Sequence, residues 1–78
     1  MSIAALCKET RADLAVARDH PPLPAADAQQ LIADADGTGN TQLANDALAV
    51  VSASHVVDDP GVSKALARMV GTCGTLGH

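Results

Sequence analysis

Seventy-eight residues with a net charge of −4 bound this chain to one small domain with little interior to spare. It has no Phe, Tyr or Trp, and 16 of its hydrophobic residues are alanine, so any core is thin and suited to close helix approach. Lys8, Arg11, Arg18, Lys64 and Arg68 lie toward the ends, while the span from Asp19 to Ser63 holds seven aspartates and no Lys or Arg. A nucleic-acid backbone needs clustered cations, so that class of partner is excluded.

Ser2 is suited to cap a first helix over about 2–19, which the His20-Pro21-Pro22 break ends. On a helical wheel Ile3, Leu6, Cys7, Thr10, Leu14 and Ala17 share one face, and Lys8, Glu9 and Arg11 point away from it. Val16 falls on the polar side, which favours a contact elsewhere. The segment His20 to Pro24 reads as a stiff connector in extended geometry.

The second predicted helix covers about 25–36, with Pro24 at its start and Pro24, Ala28, Leu31, Ile32 and Ala35 as its apolar face. The third covers about 41–57 and is the central one. Leu43, Ala47, Val50, Val51 and Val57 lie together there, and Ala44 and Leu48 widen the stripe. The valines at 50, 51, 56 and 57 also have strand propensity, so a short strand near 55–57 competes with the end of that helix. Asp58-Asp59-Pro60 starts a fourth helix over about 60–71, with Val62, Ala65, Leu66, Met69 and Val70 inward and Lys64 and Arg68 outward. Residues 72–78, following Gly71 and themselves carrying two glycines, are expected to form a flexible tail on a domain of residues 1–71.

Between the second and third helices, Asp34, Asp36, Thr38, Asn40, Gln42 and Asn45 occupy positions 1, 3, 5, 7, 9 and 12 of a twelve-residue stretch, with Gly39 at position 6. This resembles an EF-hand calcium loop, in which alternate oxygen ligands converge on one cation and the glycine allows the sharp turn. The resemblance implies a weak calcium site on those six residues. It departs from the family in having neutral Asn45 where a bidentate Glu belongs, Thr41 at the usual apolar position, and no second loop. The competing reading makes Gly37 a helix end, Asn40 or Thr41 the next cap, and the aspartates solvated turn residues.

Cys7 and Cys73 each continue an apolar helix face and read as two buried thiols or as a disulfide clipping the first helix to the end of the fourth. No spacing among these cysteines and His20, His55 and His78 matches a zinc pattern. The longest apolar run is too short and too polar to span a bilayer, no secretory signal is read, and a cytoplasmic location is expected.

These observations predict an all-α fold of about four short helices, arranged as an irregular bundle or an orthogonal pair of hairpins. The expected function is a non-catalytic protein-interaction module: an adaptor, an inhibitor or a small subunit. Its partner is a protein with a basic surface, or a second copy of the chain. A calcium-binding module and a ribosomally made peptide precursor modified at Cys73 are the alternatives.

Overall fold

The structure, a computed structural model, describes all 78 residues. It contains α1 (Ile3–Asp19), α2 (Ala25–Gly37), α3 (Thr41–His55) and α4 (Asp59–Thr75), and no strand. Each helix starts on a local signal. Ser2 Oγ accepts from the Ala5 amide at 3.1 Å, Asn40 Oδ1 from Leu43 at 3.0 Å, and Asp58 Oδ1 from Gly61 at 3.0 Å. Each contact satisfies an amide that has no partner inside its own helix. α2 has no such side-chain cap and begins instead behind Pro24.

The helices form a closed ring in which α1 meets α2 and α4, and α3 meets α2 and α4, while the diagonal pairs bring no Cα atoms within 8 Å of each other. Directions follow from specific contacts. Cys7 near the start of α1 meets Cys73 near the end of α4, and Ser63 Oγ at the start of α4 donates to the Ala17 carbonyl near the end of α1 at 3.4 Å. Asp46 early in α3 meets Thr72 late in α4. Both pairs are therefore antiparallel. At 1.5 Å per residue the 17-residue helices α1 and α4 are about 25 Å long, which fits only the 28 Å axis of the molecule. The architecture is an up-and-down four-helix bundle, not crossed hairpins.

The core is built from aliphatic residues and alanine, with no aromatic ring. Leu6, Leu31, Leu43, Val50, Leu66 and Met69 fill its centre, with Ala28, Ala35 and Ala47 between the helices where larger side chains would hold them apart. Leu23, in the proline-rich connector between α1 and α2, is also buried and belongs to the same core cluster.

Several expectations are corrected here. α4 does not stop at Gly71; it continues to Thr75 because Cys73 is fully buried and bonded to Cys7. The 72–78 segment is thus mostly helix, with His78 N donating to Cys73 O at 2.8 Å and Arg11 Nη2 donating to the His78 carbonyl. α3 ends at His55, and Val57 lies outside it, 73% exposed. Leu48, expected to widen the apolar stripe, faces solvent, and Asp46 is buried beside that stripe. Val16 packs on the core, and Glu9 turns toward α2.

The α3–α4 corner carries backbone strain. The Asp58 amide donates to Ala53 O at 2.9 Å and the Val57 amide to Ser54 O at 3.1 Å, which closes the helix and sets Val57 at φ 56°. That left-handed conformation suits glycine, and a β-branched side chain there is strained. Val57→Gly is expected to stabilise the fold by about 1 kcal/mol, since relief of the strain exceeds the entropy cost of glycine and the exposed valine buries little. Urea unfolding followed by far-UV circular dichroism measures it; an unchanged or lower midpoint would contradict the assignment.

Candidate interaction surface and carboxylate clusters

The six residues of the calcium-loop pattern are not arranged as a loop. Asp34 and Asp36 lie in the last turns of α2, Thr38 and Asn40 in a three-residue connector, and Gln42 and Asn45 in the first turns of α3. Four already bond inside the chain. Gln30 Nε2 donates to Asp34 Oδ1 at 2.9 Å, and Thr38 Oγ1 donates to the Ala35 carbonyl at 2.7 Å. Asn40 caps α3, and Gln42 Nε2 donates to Asp46 Oδ1 at 3.0 Å. Asp36 and Asn45 are exposed. Gathering the six around one ion requires the last turn of α2 and the first of α3 to unwind, and no group of three His, Cys, Asp or Glu side chains is arranged to hold a metal.

This geometry leads to a specific expectation. Amide NMR spectra of chelated protein should show no saturable shift at residues 34–45 below millimolar calcium. A saturable response there, stronger for calcium than for magnesium, would establish the loop as a site.

A different set of carboxylates does converge. Glu9 and Asp13, one turn apart on α1, lie close to Asp34 and Asp27 on α2. Burial raises the Glu9 carboxyl to about 7, helped by a hydrogen bond with Asp34 and by the charges of Asp34, Asp13 and Asp27. Burial likewise raises Asp13 to about 6, with the charge of Asp27 adding to it. Glu9 Oε2 and Asp13 Oδ2 are inaccessible and have no hydrogen-bond partner. α2 carries no cation to neutralise this seam, so both carboxyls are held toward their protonated forms.

Asp46 is held differently. It is only 3% exposed, yet both oxygens are engaged: Oδ1 accepts from Gln42 and Oδ2 from Thr72 Oγ1 at 2.7 Å. It fastens the start of α3 to the end of α4, a structural role that an apolar-stripe reading of α3 misses.

The outward side of α3 is the remaining feature. Thr41, Asn45, Leu48, Ser52, His55 and Val56 recur at helical spacing there and are all exposed. Leu48 is 52% and Val56 70% exposed, and the strained Val57 extends the apolar surface round the corner. None of these residues is Asp, Glu, Lys or Arg. The fold encloses no pocket, and no helix is long and apolar enough to cross a membrane.

Comparison with family models, with curated proteins and with solved structures gave no match. The chain therefore has to be understood from its own geometry.

Proposed function

We propose that this chain is a non-catalytic protein-interaction module, an adaptor, inhibitor or small subunit, that engages its partner through the outer side of α3 and the α3–α4 corner. The observation that carries the reading is Val57. A β-branched residue held at φ 56° with its side chain 73% exposed costs the fold stability and returns little burial. Its exposed neighbour Val56 and the outward Leu48 make the same surface apolar. Such a surface is most useful when another molecule covers it.

The chemistry available elsewhere supports the non-catalytic half. The His residues at 20, 55 and 78 are all exposed, and both cysteines are locked in the disulfide, so no thiol–imidazole pair is poised for nucleophilic work. The bonded Cys73 also disfavours its modification in a peptide precursor. The Cys7–Cys73 bond favours an oxidising compartment over the cytosolic location expected from sequence, because cytosolic reductants keep thiols free.

The test is quantitative affinity capture from the host, comparing the wild-type chain with a Leu48→Ser/Val56→Ser double variant and with Ala12→Ser on the exposed outer side of α1. Partners retained by Ala12→Ser and lost by the double variant support the reading. Identical capture by all three chains, or none by the wild type, overturns it.

A further inference from the structure

The interaction reading leaves the partner's chemistry open, and the charge distribution narrows it. The outer face of α3 carries no Asp, Glu, Lys or Arg from Thr41 to Val56, and the first charged residues along the chain beyond its two ends are acidic. α2 and α3 together carry Asp27, Asp34, Asp36 and Asp46, and no Lys or Arg. Asp27 and Asp34 are turned toward α1, and Asp46 is buried. Asp36 is exposed near the N-terminal end of α3, and Asp58 is exposed immediately beyond its C-terminal end, with half-buried Asp59 next to it. An apolar strip about 12 Å long between Leu48 and Val56 thus runs into Asp58 and Asp59 at one end, while Asp36 lies beyond the N-terminus of α3. The nearest cations in sequence, Arg18 and Lys64, belong to α1 and α4, and Lys64 and Arg68 are exposed on the side of α4 opposite its buried Val62, Leu66 and Met69.

Resting on the reading above, we infer that the surface formed by Leu48, Ser52, Val56 and Val57 takes a basic amphipathic helix of a partner protein. The partner's apolar stripe lies against Leu48 and Val56, and its lysines or arginines reach Asp36 at one end and Asp58 and Asp59 at the other. A helix laid in this way reads the strip through residues spaced three and four apart, and opposite charge at the rim fixes its direction and speeds its approach. A second copy of this chain is the poorer occupant. It would bring a second set of rim aspartates to the first, with no cation on α2 or α3 to pair them.

The experiment uses two synthetic helical peptides with identical leucine spacing, one with lysine and one with glutamate on the polar face. Each is titrated into the full isotope-labelled chain and followed by amide NMR, which needs no aromatic chromophore. The lysine peptide is expected to give saturable shifts at residues 36–59, with affinity falling at high salt. Leu48→Ser/Val56→Ser should weaken it at least about 10-fold, equivalent to roughly 1.4 kcal/mol. The glutamate peptide should give no response.

Equal response to both peptides overturns the inference, as does a lysine-peptide response confined to the Glu9, Asp13, Asp27 and Asp34 seam. A concentration-dependent dimer in sedimentation that the double variant abolishes also overturns it, in favour of a second copy. If neither peptide binds while host capture still depends on Leu48 and Val56, the partner chemistry fails and the interaction module stands. If that capture fails as well, both fall.

Discussion

Replacing both Cys7 and Cys73 by alanine is expected to cost the fold about 4 kcal/mol, through the 66-residue separation that the disulfide spans in the unfolded chain. A domain of this size has a total stability of about 4–12 kcal/mol, so the bond accounts for a large share of it. The reason lies in the core. Its buried set contains four alanines and no aromatic residue, and area burial by alanine is small. The bond also holds a segment that would not be helical on its own. Gly71 and Gly74 flank Cys73, and glycine disfavours helix by about 1 kcal/mol per residue relative to alanine.

Thermal unfolding by far-UV circular dichroism should show the double variant, or the reduced wild type, melting at least about 15 °C lower. Hydrogen exchange should show residues 71–78 losing protection before the rest, with Asp46 then deprived of Thr72. A shift of only a few degrees would mean that helix packing alone carries the fold.

How much of this was legible in the sequence depends on the kind of signal each residue gives. Ser2, Asn40 and Asp58 are side chains that bond within three residues of themselves, so local pattern identifies them and the structure places a cap at each. The end of α4 is the opposite case. Its glycines argue for a frayed tail, and a bond to a residue 66 positions away decides otherwise.

Faces were harder to assign because alanine is compatible with either side of a helix. On α3 the helical period puts Leu48 in the apolar stripe, yet it is exposed, and Asp46, outside that stripe, is buried. The Gln42 and Thr72 partners that make Asp46 burial tolerable come from one turn before it and from another helix. The calcium-like pattern shows the same limit. Its oxygen-bearing residues have the right spacing for a loop, but the helical preference of Ala33, Ala35 and Leu43 runs α2 and α3 through it. The Val57 corner had no signal, since its left-handed position is one where glycine is the usual mark. The α1–α2 carboxylate seam was missed because Glu9 was assigned by the wheel to the solvent side. It was in fact positioned by where α2 packs.

That seam sets the second large effect, a stability that falls as the solution becomes neutral. The folded-state values of Glu9 and Asp13, about 7 and about 6, stand above the ordinary 4.5 and 3.8 that the unfolded chain shows. Between those limits the folded chain holds more protons than the unfolded one, so rising pH favours unfolding. The contribution of the two groups is fully present below about pH 4 and is lost as pH rises through 6 and 7.

Both side chains are only partly buried, so solvent screening reduces the full linkage. The two together are expected to contribute about 2 kcal/mol across that window. Every other ionisable group in the chain adds its own background, which would blur a measurement on wild type alone. The difference between wild type and a Glu9→Gln/Asp13→Asn variant removes that background. Urea midpoints taken from pH 4 to pH 8 should show the variant gaining on wild type as pH rises, and exceeding it by about 2 kcal/mol at pH 8. A difference that stays flat across the range would mean that Glu9 and Asp13 titrate normally, with α1 and α2 far enough apart for water to reach both carboxylates.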